Sequence, residues 1–310
     1  MTQQKVLLES GTNELEILEF FLGGQSYGIN VAKILQIIPY RAEDFTETPE
    51  SPAEMPGVLL WRGQTLPLID LNIALNPRTT IEAERPIVLV TEFNNVENCF
   101  LTDGVNRIHR LSWEQVDPVT EFLERYTARI TGSVHVDDTD ILLVDFERLV
   151  AELFPDSDLG YHAHKIPVEN LEERRGTKRI VFAEDSGFIR ATITNILKDA
   201  GYVNVAEFEN GKDALKHLLG EKQKAEEENK PITDYVDIVI SDIEMPQLDG
   251  LTLCKKIKTD SLFSKTPVVM FSSMINEQMV LKCQDVGADA HATKPQIKEL
   301  VQIIDTLLKI

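Results

Sequence analysis

The sequence predicts two domains of different class, an all-β half followed by an α/β half. With 310 residues, the chain exceeds the roughly 100–200 residues that are usual for one domain. The first half contains many short apolar runs separated by turn residues, which is typical of a small barrel or sandwich. The second half alternates apolar runs with segments of helical periodicity, which indicates a parallel sheet with right-handed crossovers.

The predicted strands of the first half are short apolar runs at residues 15–22, 27–31, 58–61, 66–69, 87–91, 99–102, 105–111, 130–136 and 141–144. Glycines in Gly23-Gly24-Gln25 and Arg62-Gly63-Gln64 mark tight turns between the first two pairs of strands. Helical spacing is confined to residues 31–38 and 146–154.

The first half shows no arrangement of residues typical of catalysis. Asp137, Asp138 and Asp140 do not fit an EF-hand calcium loop, because no glutamate follows at the required spacing. Aspartates are common in turns, so a hairpin turn is predicted there. His109 and His135 have no cysteine or histidine at metal-ligand spacing. The first half is therefore interpreted as a β-rich binding module.

The second half has predicted strands at residues 179–183, 236–240, 267–271 and 288–293. Predicted helices lie between and after them, at residues 188–200, 214–224, 251–258, 279–286 and 297–308. In the last helix the apolar residues recur at intervals of three and four, which predicts one buried face.

Polar side chains follow each of these predicted strands. Glu184 and Asp185 come after the first, Asp242 after the second, Ser272 after the third and Lys294 after the fourth. The carboxyl ends of strands in an open α/β sheet form the crevice where ligands bind. An acid pair alone is more often a helix N-cap, and a lone serine is more often a turn residue. The whole set is nevertheless expected on one rim of one sheet.

This rim predicts a site for phosphoryl chemistry that uses Mg²⁺. Three carboxylates disfavour each other's ionised form unless a cation lies among them, and an all-oxygen site suits Mg²⁺. With Glu184 and Asp185 holding the metal, Asp242 is left as a nucleophile toward a phosphoryl group. Lys294 and the Ser272 hydroxyl would then contact the phosphoryl oxygens, and the product is an aspartyl phosphate.

Residues from about 178 to 310 resemble a response-regulator receiver domain. The resemblance rests on Ala183-Glu184-Asp185-Ser186, Ser241-Asp242-Ile243-Glu244-Met245-Pro246, Gly250, Ser272, Gly287-Ala288-Asp289 and Lys294-Pro295. It implies a flavodoxin-like fold with a five-stranded parallel sheet.

The same resemblance implies a role for each residue of the rim. Asp242 is the phosphoacceptor, and the metal ligands are Glu184, Asp185, Asp242 and the backbone carbonyl of Glu244. Ser272 and Lys294 contact the phosphoryl group. Glu244 and Met274 border the path of attacking water, where an acidic and an apolar side chain should slow hydrolysis.

Ser272 and His291 occupy the positions of the family's conformational switch. A tyrosine or phenylalanine usually stands where this chain has His291. The imidazole either rotates inward and adds pH sensitivity to the switch or stays outside as an exposed ring. The sequence leaves both readings open.

The first half resembles the CheW family of chemotaxis coupling proteins. The matching residues are Phe21-Leu22, Tyr27-Gly28-Ile29-Asn30-Val31, Pro56-Gly57-Val58, Arg62-Gly63-Gln64 and Leu66-Pro67-Leu68-Ile69-Asp70-Leu71. That family folds as two small five-stranded barrels and couples chemoreceptors to the histidine kinase CheA. Arg62 is the candidate partner-binding residue that the resemblance supplies.

A CheW-like half followed by a receiver is the arrangement of CheV-type proteins. The resemblance implies a CheW-like domain at 12–155, a linker at 156–177 and a receiver domain at 178–310. It further implies a chemotaxis adaptor between CheA and the chemoreceptors, cytoplasmic and situated at receptor arrays. No enzymatic activity is expected beyond autophosphorylation from the phosphorylated kinase and slow self-dephosphorylation. The alternative is a phosphate sink that drains phosphoryl groups from the kinase.

Composition agrees with these expectations. The net charge of −20, from 51 acidic and 31 basic residues, argues against a nucleic-acid partner, since phosphate binding needs a basic surface. No apolar segment approaches the length of a membrane span, and residues 1–10 lack the features of a signal peptide. Cys99, Cys254 and Cys283 lack paired spacing, which fits free thiols in a reducing cytoplasm.

Overall fold

The computed structural model describes residues 11–77, 83–93, 96–119, 129–154, 171–273, 277–294 and 297–310. These residues divide into two units, one built from residues 15–111 and 115–154 and the other mainly from residues 171–310. The linker predicted at 156–177 lies largely outside the described residues, and its limits stay a prediction. Within the described residues, no helix combines the length and the apolar character needed to cross a bilayer.

The first unit is built mainly from strands, as predicted. They are β1 Glu14–Leu22, β2 Gln25–Asn30, β3 Ile34–Pro39, β4 Phe45–Glu47, β5 Gly57–Trp61, β6 Gln64–Asp70, β7 Ile87–Phe93, β8 Val96–Thr102, β9 Gly104–Ser112, β10 Asp117–Pro118, β11 Ile130–Val136 and β12 Thr139–Val144. Among the described residues of this unit, two α-helices accompany the strands, α1 Leu71–Leu75 and α2 Phe146–Leu153.

The strands form two sheets whose orders are β10-β11-β12-β2-β1-β9 and β3-β7-β8-β6-β5-β4. Each sheet therefore has six described strands, one more than the five expected per barrel. The very short β10 and β4, at one edge of each sheet, account for the difference. Trp61 Nε1 on β5 donates a hydrogen bond to Gln36 Oε1 on β3 at 3.3 Å, although several strands separate β3 from β5 in the sheet order. This contact shows that the second sheet curves back on itself. This curvature gives the unit its barrel character.

Aromatic side chains fill the core of the first unit. Phe146 of α2 packs edge-on against Phe100 with ring centroids 4.8 Å apart, and it stacks on Phe93 at 5.7 Å. Phe20 of β1 joins the same cluster. Because α2 supplies the central ring, this predicted helix closes the core between strands of both sheets.

Two predicted tight turns in the first unit are present, with the backbone angles that their residues favour. Gly23 and Gly24 have positive φ angles of 57° and 80°, which glycine adopts without steric cost. Asp137 and Asp138 also have positive φ, at 48° and 63°, and they form the two-residue loop of the β11–β12 hairpin. The predicted hairpin turn is therefore confirmed.

The helix predicted at residues 31–38 is wrong. A single 3₁₀ turn covers Val31–Lys33, and β3 follows at once and pairs antiparallel with β7. The apolar residues fit both periodicities, but Ile34, Ile37 and Ile38 are β-branched and therefore favour a strand. The backbone hydrogen bonds that β7 offers decide the outcome.

The second unit is an α/β fold, as predicted. Its strands are β13 Arg179–Ala183, β14 Asn204–Phe208, β15 Ile238–Ser241, β16 Val268–Ser272 and β17 Ala290–Thr293. Its helices are α3 Glu172–Gly176, α4 Gly187–Asp199, α5 Gly211–Glu228, α6 Gly250–Thr259, α7 Glu277–Asp285 and α8 Ile297–Leu308. The sheet is parallel with the order β14-β13-β15-β16-β17. The five-stranded parallel sheet is therefore confirmed.

Helices cover both faces of this sheet. One face buries α4 and α8 through Ile193, Leu197 and Ile304. The other buries α5, α6 and α7 through residues such as Leu218 and Cys254. Successive strand residues alternate between the two clusters, so the strands read as continuous apolar runs. This burial holds the strand ends of the sheet in fixed positions.

The short helix α3 lies within the stretch predicted as linker and is attached to the second unit through Arg175. The Arg175 side chain is 2% exposed, and its Nη2 lies 2.6 Å from Asp305 Oδ2 on α8. Its Nη1 donates to the carbonyl of Ala200 at 2.8 Å, and Tyr202 donates to Asp305 Oδ1 at 2.6 Å. The hydrogen bond to Asp305 raises the pKa of the guanidinium further.

Arg175→Met is expected to lower the free energy of unfolding by about 2 kcal/mol. Breaking a fully buried pair costs about 3–5 kcal/mol, but the Asp305 side chain is 18% exposed and water compensates part of the loss. Urea denaturation of the full chain measures the change. Arg174→Met is the control, because this neighbouring arginine is exposed and donates to the backbone carbonyl of Lys309. Equal losses in the two variants would contradict the role of the buried pair.

Candidate functional site

The candidate site lies at the carboxyl ends of β13 and β15, where the strand order of the parallel sheet reverses. Ala183 pairs with Ser241 in register, so Glu184 and Asp242 leave neighbouring strands at the same level. Both side chains are buried, with residue exposures of 0% and 2%. The sheet therefore brings together two of the predicted acids where an open α/β sheet forms its crevice.

Asp185 completes a cluster of three carboxylates. One oxygen each from Glu184, Asp185 and Asp242 lies within 4.8 Å of the others. Such a spacing lets all three oxygens reach one cation, and hard oxygen ligands are what Mg²⁺ prefers. Asp185 is partly exposed whereas the other two are buried, which leaves one side open to water. The donor set therefore fits Mg²⁺.

Lys294 supplies the positive charge among these acids. Its Nζ lies 2.8 Å from Glu184 Oε2 and 3.0 Å from Asp242 Oδ2, and its side chain is 0% exposed. A lysine is almost never fully buried unless it is paired. The two ion pairs hold both carboxylates together and offset the desolvation of all three groups.

The Asp242 carboxylate is oriented by the backbone as well. Its Oδ1 accepts a hydrogen bond from the N–H of Ile243 at 2.6 Å, while its own N–H donates to the carbonyl of Ala183 at 2.9 Å. Gly250 fits closely against the Asp242 backbone, because a Cβ at Gly250 would lie 1.8 Å from the Asp242 carbonyl oxygen. The closely packed loop after β15 therefore fixes the acid in place.

The remaining predicted residues lie around this centre. Ser272 ends β16 with an exposure of 1%, and its carbonyl accepts from the N–H of Lys294 at 3.1 Å. Glu244 is partly buried, two residues beyond Asp242. His291 lies on β17 with an exposed side chain, which corresponds to the outward of its two predicted orientations. Met274 and Pro295 lie outside the described residues.

Sequence reasoning did not assign a role to Asp249, although it lies in the same loop. Asp249 caps α6, where its Oδ1 accepts from the N–H of Thr252 at 2.8 Å and its Oδ2 accepts from the Thr252 hydroxyl at 2.7 Å. Burial raises the pKa of this carboxyl. An aspartate directly before a helix is the usual N-cap signal, and that signal was available in the sequence.

In the first unit, Arg62 lies at the tip of the β5–β6 hairpin. Its φ is 47° and that of Gly63 is 80°, so a non-glycine residue holds a left-handed conformation that bulky side chains rarely adopt. The guanidinium carbon lies 4.5 Å from the Trp61 ring centroid, and Nη2 donates to Gln36 Oε1 at 2.9 Å. The Arg62 side chain is exposed, and its contacts with Trp61 and Gln36 fix the orientation of the guanidinium.

His109 belongs to a buried polar cluster in the first unit that is centred on Glu19. Glu19 accepts hydrogen bonds from Ser26 at 2.8 Å and Asn106 at 2.8 Å, and its Oε2 lies 2.9 Å from His109 Nε2. Burial raises the pKa of Glu19, but these hydrogen bonds outweigh burial and hold that pKa below its usual range. His135, in contrast, pairs with Asp140 on the surface. Both histidines are therefore satisfied by carboxylates.

Comparison with known proteins matches each unit to a family. Residues 16–154 match the CheW-like domain, and residues 180–305 match the response regulator receiver domain. The chain is 29% identical over 309 residues to the chemotaxis protein CheV3 of Helicobacter pylori, which covers 96% of this chain and 95% of that protein. The chain therefore combines a CheW-like domain with a response regulator receiver domain, and it is similar to a CheV chemotaxis protein over nearly its whole length.

Further relatives agree with the CheV-type arrangement. Chemotaxis protein CheV1 of Helicobacter pylori is 26% identical over 326 residues, with 96% of this chain and 94% of that protein covered. Chemotaxis protein CheW of Klebsiella aerogenes is 31% identical over 137 residues, which cover 44% of this chain and 81% of that protein. The predicted combination of a CheW-like domain and a receiver domain is therefore confirmed.

Proposed function

We propose that this protein is a CheV-type, phosphorylation-regulated adaptor that couples chemoreceptors to the histidine kinase CheA. In this proposal Asp242 accepts a phosphoryl group from the kinase, and the modified receiver changes the coupling by the CheW-like domain. The observation that carries the proposal is the buried contact of Lys294 with both Glu184 and Asp242, at 2.8 and 3.0 Å. A buried cluster of ionisable groups at the carboxyl ends of parallel strands is costly to desolvate, and such clusters are typical of functional sites.

The chemistry requires one bond to form and one to break. A carboxylate oxygen of Asp242 attacks the phosphorus of the kinase's phosphohistidine, and the P–N bond breaks as the imidazole leaves and takes up a proton. The N–H of Ile243 donates to Oδ1 at 2.6 Å and so orients the carboxylate for attack. Lys294, already 3.0 Å from Oδ2, is placed to neutralise charge on the transferred group.

Glu184, Asp185, Asp242 and the backbone carbonyl of Glu244 would hold Mg²⁺ in this proposal. The metal supplies positive charge to the phosphoryl oxygens when it is bound. The support for the site is the cluster of three carboxylate oxygens within 4.8 Å. Ser272 ends the neighbouring strand β16, from which its hydroxyl can donate to a phosphoryl oxygen.

Ser272 and His291 are proposed as the switch that reports phosphorylation. Ser272 pairs in register with Thr293 of β17, and His291 lies two residues before Thr293 on the same strand. A movement of the Ser272 hydroxyl toward the phosphoryl group therefore acts directly on the strand that carries His291. The exposed ring can follow by turning inward.

Arg62 is proposed as a contact for CheA or for the receptors. A left-handed non-glycine residue costs of order 1–3 kcal/mol and is found disproportionately at functional sites. The structure holds Arg62 in that conformation and orients its guanidinium through Trp61 and Gln36. The proposed location is the cytoplasm at receptor arrays, which agrees with Cys99, Cys254 and Cys283 being buried free thiols.

Transfer of radioactive phosphate from phosphorylated CheA-type kinase tests the acceptor. The wild-type chain should take up label in the presence of Mg²⁺, whereas Asp242→Asn should take up none and EDTA should prevent uptake. Asp249→Asn is the matched control, because Asp249 lies in the same loop and asparagine also caps helices well. Full labelling of the Asp242→Asn variant would contradict the proposed acceptor.

The same labelled protein tests the lifetime of the phosphoryl group. Glu244 and Met274 are proposed to border the path of attacking water, so the label should persist longer than in fast-cycling receivers. The measurement is the decay of the label from purified protein with Mg²⁺ present. Rapid loss would contradict slow self-dephosphorylation and leave the acceptor assignment unchanged.

A further inference from the structure

Arg190 occupies a position that is electrostatically unfavourable for a cation. It lies in the first turn of α4, which begins at Gly187 and is capped by Ser186. The amino-terminal end of a helix carries partial positive charge, so a basic side chain there is disfavoured. Contacts outside the helix must therefore compensate.

These contacts are made to the backbone of the two acids after β13. Arg190 Nη1 donates to the carbonyl of Glu184 at 2.7 Å and to the carbonyl of Asp185 at 3.3 Å. The Arg190 side chain is only 13% exposed. The guanidinium thus binds the backbone carbonyls of two consecutive residues whose side chains belong to the acidic cluster.

The peptide of Glu184 is consequently held from both sides. Its N–H donates to the carbonyl of Phe208 at 3.0 Å, and its carbonyl accepts from Arg190. Arg190 Nη2 also lies 3.3 Å from Glu209 Oε1, but the Glu209 side chain is 51% exposed. Exposed ion pairs contribute little, so the carbonyl contacts are the main function of the arginine.

We propose that Arg190 is a positioning residue for the metal site, which holds the turn of Glu184 and Asp185 so that both carboxylates face Asp242. The inference rests on the proposed function of this cluster as a Mg²⁺ site. Groups that orient metal ligands typically change metal affinity by about 10- to 100-fold when they are removed.

The test is metal affinity measured on the full chain. Binding of Mn²⁺ is followed by the loss of the free-ion electron paramagnetic resonance signal, and Mg²⁺ is then added as a competitor. Arg190→Met should raise the Kd for Mn²⁺ about tenfold. Arg190→Lys keeps the charge but loses the planar fork, so its Kd should lie between those of Arg190→Met and the wild type.

Two control variants isolate the carbonyl contacts. Glu209→Gln removes the exposed ion pair and leaves the carbonyl contacts of Arg190 intact. Arg174→Met removes an arginine that donates to a backbone carbonyl elsewhere, that of Lys309. Both controls should bind Mn²⁺ as the wild type does. Urea denaturation in EDTA, run in parallel, reports any general loss of stability.

Each outcome separates the positioning role from its alternatives. A folded Arg190→Met variant with wild-type Mn²⁺ affinity overturns the inference, even if it is less stable, because Arg190 would then serve the fold alone. If Arg190→Met does not fold, Arg190→Lys decides, and wild-type affinity there overturns it. Failure of the wild-type chain itself to bind Mn²⁺ overturns the proposed metal site, and the inference fails with it.

Discussion

Lys294→Met is expected to slow phosphoryl transfer to Asp242 by at least about a hundredfold and to make the stability of the receiver depend on Mg²⁺. The first effect follows because Lys294 is placed to stabilise charge on the transferred group, and loss of one such group typically costs about 10²–10³ in rate. Methionine keeps most of the side-chain volume, so the change removes mainly the charge.

The second effect follows from the burial of the site. Without Lys294, the carboxylates of Glu184 and Asp242 lose a cation that lies 2.8 and 3.0 Å away. Removing one member of a buried ion pair costs about 3–5 kcal/mol, because the remaining charge is left without its partner. Bound Mg²⁺ replaces part of that positive charge and should restore much of the loss.

Urea denaturation of the full chain in EDTA and in saturating Mg²⁺ measures this dependence. Lys258→Met is the matched control, since Lys258 Nζ pairs with Asp289 at 2.6 Å but both side chains are partly exposed. The free energy of unfolding of that variant should fall by about 1 kcal/mol at most. The variant should also accept phosphoryl groups as the wild type does. If Lys294→Met were as stable as the wild type in EDTA, the electrostatic account of the site would be wrong.

Gly250→Ala is expected to lower the free energy of unfolding by about 3 kcal/mol or more. The new Cβ would lie 1.8 Å from the Asp242 carbonyl oxygen and 2.9 Å from Ser241 Oγ. Backbone cannot yield as a flexible side chain does, so the cost should reach or exceed the roughly 1–3 kcal/mol of overpacking in a core. The loop that carries the phosphoacceptor must then shift.

Gly220→Ala is the matched control for this substitution. Gly220 lies inside α5, and a Cβ there meets nothing within 4 Å. Alanine at an exposed helix position should therefore stabilise the chain by about 1 kcal/mol. Chemical denaturation of both variants gives the two free energies, and phosphoryl transfer reports whether Asp242 has moved. Equal effects of the two substitutions would contradict the close approach seen at Gly250.

The location of the acidic site could be predicted because parallel strands place all their carboxyl ends on one rim. Glu184, Asp185, Asp242 and Lys294 each follow a predicted strand within two residues, so their convergence required only the strand assignments. Their roles in phosphoryl transfer stay predictions. Which oxygens Lys294 contacts, and that it is fully buried, depended on side-chain packing that no local pattern encodes.

Two strands, β14 and β3, could not be predicted from the apolar pattern of the sequence. Residues of β14 did not stand out as an apolar run, because this edge strand has only partly buried or exposed residues between Asn204 and Phe208. The fifth strand was implied only by the resemblance to receivers. For residues 31–38, helical and strand periodicity were both satisfied, and only pairing with β7 selected the strand.

The position of Arg190 near the start of a predicted helix is a further signal in the sequence. A cation in the first turn of a predicted helix opposes the helix dipole, which indicates that it has a partner elsewhere. The identity of that partner, the pair of carbonyls at Glu184 and Asp185, followed only from the structure.

Kinase activity in reconstituted receptor arrays tests the proposed function most directly. CheA-type kinase, receptors and this protein are combined under a series of stimulus conditions, with either the wild-type chain or Asp242→Asn. If Asp242 regulates coupling, kinase activity should change as the wild-type chain becomes phosphorylated and should stay at the unphosphorylated level with Asp242→Asn. Identical kinase activity with both forms under every condition would contradict phosphorylation-controlled coupling, and removal of label from the kinase by the wild-type chain alone would then identify a phosphate sink.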